Sequence, residues 1–295
     1  MDGYRFFDVS VLERQCLSPS LRRFVLGGEA LDQIRHPAPD LYLKVFFPST
    51  PAALAGLPRS EDWYARYLAQ SPSQRLPMRT FTVRVAEPSR SAVVIDFALH
   101  GDQGPASCWA QRARVGDALV LYAPLQARWG RGYAWRLPPE AERIWLLADE
   151  CALPAAAAII ESLSPVAADI ELTALLEVPE VDDQLPLPLG QGIEIHWYPR
   201  HLGRRQRAYG DALQAALAAS LGRPLLPPLP RAVDNRDVGE MPVWELAVPG
   251  AGADYVWMAA EAGLVSALRR QWIDAGLARQ AISCMGYWRR GRAQA

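Results

Sequence analysis

The sequence contains little lysine, little cysteine and almost no net charge. Lys44 is its single lysine, although lysine and arginine together number 31 among 295 residues, against 32 acidic residues. The arginine, alanine and proline bias reads as base composition rather than functional demand. A net charge of −1 supplies no global field toward nucleic acid or an anionic membrane, so electrostatic selectivity has to be local. The four cysteines, Cys16, Cys108, Cys151 and Cys284, have no C-x-x-C spacing, which argues against a zinc site or a thiolate-held cluster; buried, inert thiols are expected. His36, His100, His196 and His201 lack paired ligand spacing, and no protein metal site is expected. No window approaches about 18 uninterrupted apolar residues, and the opening MDGYRFFDVSVLERQ has neither a basic start nor an apolar stretch. The expectation is a cytoplasmic monomer without membrane insertion.

What is present suffices for two domains, since half of the residues are hydrophobic. The first half carries short β-like runs, YRFFDVSVLERQ, RRFVLGG, LYLKVFF, RTFTVRVAE, AVVIDFALH and DALVLYAPL, divided by Gly, Pro and Asp turns as in a small antiparallel barrel. Helical patterning there is confined to EDWYARYLAQ and to a segment opening at Gly-Pro-Ala-Ser. In the second half the period changes. RIWLLADE, IELTALLEV, IEIHWYPR, DYVWMAAE and AISCMGYWR alternate with LPAAAAIIESL, GDALQAALAASL and GLVSALRRQWIDAG, which predicts a mostly parallel sheet covered on both faces. The boundary is placed at LPPEA, giving domains 1–138 and 139–295. Residues 222–254, rich in Pro and Gly, read as a long connection with one strand at VWELAV.

Three stretches carry chemistry. In HGDQGPASCWAQRARVGD, Gly104 allows a tight turn, Pro105 suits a first helical position, and Gly116 can end the helix about three turns later. The amides of Ala106, Ser107 and Cys108 would then point out of a helix N-terminus, which favours a diphosphate; an ordinary cap over a barrel opening is the plainer reading. In RTFTVR, a strand presents Arg79 to phosphate, Phe81 to an isoalloxazine and Thr82 to a polar edge, or else is a simple edge strand. In RHLGRRQR, Arg200, Arg204 and Arg205 follow a strand end where open α/β sheets bind ligands, and could fork onto the extra phosphate of a dinucleotide, meet another anionic ligand, or form a solvated loop. GAG at 250–252 precedes a strand and reads as a turn.

Together, Arg-x-aromatic-Thr, then DFALHGDQGPASCWA and the following Gly-Asp, resemble the FAD-binding siderophore-interacting proteins, relatives of the ferredoxin reductases. LKVFFP with Lys44, ADECALPA, YVWMAAEA and GYWRRG extend the resemblance over nearly the whole chain. It implies a flavin-binding β-barrel followed by an NAD(P)H-binding-like α/β domain. It also implies FAD contacts at Arg79, Thr80, Phe81, Thr82, His100, Gly101, Gly104, Pro105, Ala106, Ser107 and Trp109, with Asp149, Cys151 and Trp288 from the second half. For His100 and Trp109, core packing competes with cofactor contact. Phe81 stands where the family usually has tyrosine, Cys151 where it has threonine and Ala260 where it has glycine. The implied activity is reduction of a ferric siderophore by NAD(P)H or a ferredoxin through FAD, with no catalytic side chain because the flavin carries the chemistry. Lys44 and the arginine cluster are candidates for the anionic chelate. A general flavin reductase or ferredoxin-coupled carrier, and a non-catalytic ferric-chelate binder, remain open.

Overall fold

The computed structural model describes residues 3–101, 104–129, 131–164, 170–222 and 243–291. They form two compact units, the first chiefly Leu21–Tyr133 with Met1–Leu17 before it, the second chiefly Ala134–Arg292.

The first unit is built on seven strands: β1 (Tyr4–Ser18), β2 (Leu21–Gly27), β3 (Tyr42–Phe46), β4 (Met78–Thr82), β5 (Val85–Glu87), β6 (Ala92–Ala98) and β7 (Ala118–Pro124). Their order is β4-β3-β7-β1-β2-β6-β5, with β4–β3, β3–β7, β7–β1, β2–β6 and β6–β5 antiparallel. RTFTVRVAE is not one strand. Val83 and Arg84 break it, and their amides donate to Leu41 O (2.7 Å) and Val94 O (2.8 Å), so this two-residue bend joins the two edges and curls the sheet toward a barrel. Alternate residues fill its interior: Phe7, Val9 and Val11 from β1, Leu43 and Val45 from β3, and Leu119, Leu121 and Ala123 from β7. Outside, α1 (Trp63–Ala69) lays Trp63 and Tyr67 on Phe46, Met78 and Val120. A second helix, α2 (Pro105–Arg112), follows β6 and ends sooner than the sequence suggests. Ala113 leaves helical geometry after its amide reaches Trp109 O, while Gly116 (φ 94°) serves the turn into β7. Beyond β7 lie the two-residue strands β8 (Arg128–Trp129) and β9 (Gly132–Tyr133).

The second unit contains β10 (Arg143–Ala148), α3 (Leu153–Leu163), β11 (Glu171–Val178), β12 (Ile193–Pro199), the hairpin β13 (His201–Leu202) and β14 (Arg205–Gln206), α4 (Asp211–Ser220), β15 (Trp244–Glu245), β16 (Asp254–Glu261), α5 (Ala262–Asp274) and β17 (Ile282–Trp288). Sheet order is β12-β11-β10-β16-β17-β15, parallel except for the short edge strand β15. The central strands are apolar on both faces, as a doubly covered parallel sheet requires. Val256 and Met258 pack with Leu213 and Leu217 of α4 and Leu264 and Leu268 of α5, while small alanines let α3 bury nearly its whole length. β11 and β12 lie to one side of β10, and β16 and β17 to the other, so the strand order reverses between β10 and β16. Most of the 222–254 connection lies outside the described residues, and VWELAV forms only the two residues of β15. Gly250 and Gly252 have positive φ, in keeping with a turn at GAG.

Candidate functional site

In the first unit the chain leaves β6 through His100 and Gly101 and enters α2 through Gly104. Gly101 (φ 61°) and Gly104 (φ 90°) adopt conformations that side chains rarely tolerate, and a Cβ at either would project into open space. Ser107 ties this turn down, its Oγ accepting from His100 N (2.9 Å) and donating to Gly101 O (2.6 Å). Pro105 occupies the first helical turn, which holds no acidic residue. A helix start of this kind carries partial positive charge and amide donors beside an uncluttered backbone, so the residues present fit a diphosphate. One expectation changes. The Cys108 amide is spent on Gly104 O (3.1 Å) as the first helical bond, and the Ser107 hydroxyl is committed to the turn.

The aromatic residues of the two stretches meet across one ring. Phe81 of β4 lies 4.2 Å from Phe97, centroid to centroid, and Trp109 of α2 lies 5.6 Å from the same ring while also touching Phe24 and Phe47. Trp109 is thus part of the barrel packing, and Phe81 is half-buried at its edge. Thr82 is buried. Arg79 is half-buried, donates to Met78 O (2.7 Å), and has its pKa lowered by burial. His100 is exposed, which removes the core-histidine reading.

A cleft of about 290 Å³ opens on the same unit, lined by Tyr4, Tyr42, Lys44, Thr80, Tyr122 and Arg131. Lys44 pairs in register with Thr80 on one side and Tyr122 on the other, so the pleat delivers all three to one face. Burial lowers the Lys44 pKa. Thr80, which the resemblance groups with the flavin contacts, lies beside Lys44.

The second unit gathers charge at the carboxyl edge of its sheet. Asp149, directly after β10, is 0% exposed. Its Oδ1 accepts from the amides of Cys151 (2.9 Å) and Ala152 (3.0 Å), and its Oδ2 from Tyr209 OH (2.5 Å), Trp288 Nε1 (2.7 Å) and Glu261 N (3.2 Å). Burial first, and then the neighbouring Glu150, push its carboxyl up to about 7. Arg200 grips Glu150 through both Nη atoms (2.7 and 2.8 Å), reaches Glu177 at 3.1 Å, and stands over the Tyr209 ring at 5.3 Å. Burial opposes its charge, but the bonds to Glu150 and Glu177 keep its pKa raised. Burial also raises Glu177, whose carboxylate accepts from Gly210 N at the start of α4.

Residues 10–128 match the Siderophore-interacting FAD-binding domain, and residues 141–291 match the Siderophore-interacting protein family. The chain belongs to the siderophore-interacting protein family. It is 30% identical to an uncharacterized protein of Mycobacterium tuberculosis over 300 residues, covering 100% of this chain and 94% of that one. It is 32% identical over 193 residues to an NADPH-dependent ferric-chelate reductase of Escherichia coli, covering 65% and 71% of the two chains. Among solved structures, a siderophore utilization protein from T. fusca superposes with a TM-score of 0.73 at 29% identity over 100% of this chain and 97% of that one. A ferredoxin reductase of carbazole 1,9a-dioxygenase, at 13% identity and a TM-score of 0.62 over 97% and 70%, shares the fold.

In this siderophore-interacting protein the arginines of RHLGRRQR separate. Arg204 and Arg205 sit exposed on the β13–β14 hairpin, whereas the Arg200 fork is filled by two carboxylates because the strand end turns it inward. Asp149, Cys151 and Trp288 are drawn into that same interior network, with the Cys151 thiol pushed up by burial and by Asp149. Cys284 is a buried residue, Cys108 and Cys151 are half-buried with the Cys151 thiol turned inward, and Cys16 is exposed. Arg131 was missed by sequence reasoning. It lies beyond the β-like runs, in RGYAWR, where nothing local marks it as a neighbour of Lys44.

Among the described residues no group of three or more His, Cys, Asp or Glu could hold a metal ion. No helix there is long and apolar enough to cross a membrane.

Proposed function

We propose that this protein is an FAD-dependent ferric-siderophore reductase that takes electrons from NAD(P)H, or alternatively from a ferredoxin, and releases Fe(II) in the cytoplasm. Residues 1–138 form the flavin domain and residues 139–295 the donor-facing domain. When bound, FAD supplies the conversion of a two-electron donor into single electrons. Arg79, Thr82, the His100–Gly101 turn and the amides of Ala106 and Ser107 bind and orient it, with Gly104 and Pro105 shaping the helix start. Phe81 supports the ring from the barrel edge, backed by Phe97 and Trp109. Lys44 and Arg131, flanked by Thr80 and three tyrosines, attract the anionic chelate. Iron leaves after reduction because Fe(II) is softer and less charged than Fe(III), and oxygen donors hold it less strongly. No side chain is asked to move a proton.

The observation that carries this reading is the α2 start, two positive-φ glycines followed by a helix with no acid in its first turn, in a unit that also holds a basic, tyrosine-lined cleft. That cleft favours an anionic acceptor over the general flavin-reductase reading. The test is anaerobic mixing of the purified protein with NADH or NADPH and a panel of ferric siderophores, following flavin bleaching and trapped Fe(II). Bleaching with no Fe(II) from any chelate would leave a general flavin reductase. No bleaching with chemically reducible flavin would point to a protein donor. In a second arm, Arg204→Ser with Arg205→Ser should raise the NADPH Michaelis constant and spare NADH if the hairpin meets the 2′-phosphate. If it meets the chelate, only chelate affinity should fall.

A further inference from the structure

Open α/β sheets bind nucleotides where the strand order reverses, with the diphosphate on the amides of the helix that follows the first strand. Here that point lies between β10 and β16, and that helix is α3. Three of the amides at its start are engaged within the chain. Cys151 N and Ala152 N donate to the Asp149 carboxylate, Leu153 N donates to Asp149 O (2.8 Å), and residue 154 is proline. The neighbouring helix starts repeat the pattern. Glu261 accepts from Gly263 N (2.7 Å) and Leu264 N (3.1 Å) at α5, and Glu177 accepts from Gly210 N at α4. Of the cations nearby, Arg200 is clamped between Glu150 and Glu177, and Arg290 stands over the Tyr209 ring at 5.2 Å.

We propose that the Asp149 carboxylate is the permanent internal occupant of the anion site at the α3 start, so that the crevice between β10 and β16 excludes a dinucleotide diphosphate. A nicotinamide donor therefore reacts without a diphosphate anchor in this unit, and any preference for NADPH is left to the exposed Arg204 and Arg205. Three features support exclusion over a site awaiting its ligand. The amides of Cys151, Ala152 and Leu153, which a phosphate would need, are already bonded. The occupant is held from its other side by Tyr209, Trp288 and the Glu261 amide, so it cannot swing away as one side chain. A diphosphate would also meet the carboxylate of Glu261, whose own amide sits on Asp149, and that charge would repel it.

The inference rests on the reductase reading only for the identity of the donor, and its test is separable. Calorimetric titration of the flavin-loaded protein with ADP-ribose, which carries the diphosphate without the nicotinamide, should give no binding up to millimolar concentration. Flavin reduction should rise linearly with NADH, and reduced nicotinamide mononucleotide should match NADH to within about threefold. Micromolar ADP-ribose binding that competes with NADPH would overturn the proposal. Asp149→Ala removes the occupant and frees two amides; if it folds with a cooperative melt, it should bind ADP-ribose at least tenfold more tightly, and unchanged binding would show that Asp149 is not the barrier. Should the alanine variant fail to fold, the titration of the unaltered protein still decides. Chelate reduction by dithionite-reduced protein checks the reductase reading without any nucleotide.

Discussion

Two helix starts in this molecule meet the same physical demand in opposite ways. Both α2 and α3 carry proline in the first turn and follow a strand of their unit. At α2 the chain arrives through glycines, places no acid in the first turn and leaves open space where a Cβ would project. At α3 the chain arrives through Asp-Glu, and the aspartate folds back onto the amides it precedes. The partial positive charge of a helix N-terminus is present in both. What differs is whether the chain supplies the anion itself, and so which end of the protein is left to recruit one from solution.

The largest expected effect comes from making α2 resemble α3. Arg79→Ala with Ser107→Glu removes a cation and places a carboxylate in the first turn. Losing one charge-assisted contact costs about 1.5–3 kcal/mol, about tenfold in affinity at the lower end and about 150-fold at the upper, and like-charge repulsion adds to it. FAD recovered by heat release and chromatography should fall from stoichiometric to undetectable, and stoichiometric FAD in the double variant would mean the helix start is not the flavin site. FMN in place of FAD from the unaltered protein would contradict a diphosphate-binding role.

A smaller effect sharpens the α3 side. Asp149 has a folded-state pKa of about 7, above its unfolded value, and Glu177 is raised as well. The folded chain therefore holds protons that the unfolded chain has lost, and stability from these groups falls as pH rises through the window from about 4 to about 7. Thermal melting should give a higher Tm at pH 5.5 than at pH 8, and Asp149→Asn should flatten that slope even if it lowers Tm throughout. A Tm that climbs toward pH 8 would mean that Asp149 is ionised at little cost.

The smallest effect concerns the packing behind α2. Phe81→Tyr keeps the ring against Phe97 and adds one hydroxyl at a half-buried edge. Bound FAD should remain stoichiometric with only a modest change in flavin potential, measured by anaerobic titration. Loss of FAD would show that the Phe81 ring serves the barrel core rather than the cofactor.

Periodicity and turn residues made nearly all of the fold legible, because each strand of the barrel and each strand–helix alternation of the second unit is a local pattern bounded by Gly, Pro or Asp. The break at Val83–Arg84 was not legible, since a strand running on and a strand bending have the same alternation. Of the candidate site, the Gly-Pro-Ala-Ser helix start could be read because its chemistry is contiguous. The sequence by itself determined two units, their classes and a glycine-led helix start with no acid in its first turn. Tertiary structure alone decided that Arg200 faces Glu150 and Glu177 while Arg204 and Arg205 face solvent, that Lys44 shares a cleft with Arg131, and that Asp149 meets Tyr209 and Trp288 across 60 and 139 residues of sequence. The physical reason is that a charge is defined by what surrounds it. Composition and spacing fix which ionisable groups exist, but burial and pairing with distant partners decide which are spent inside the protein and which remain for a ligand.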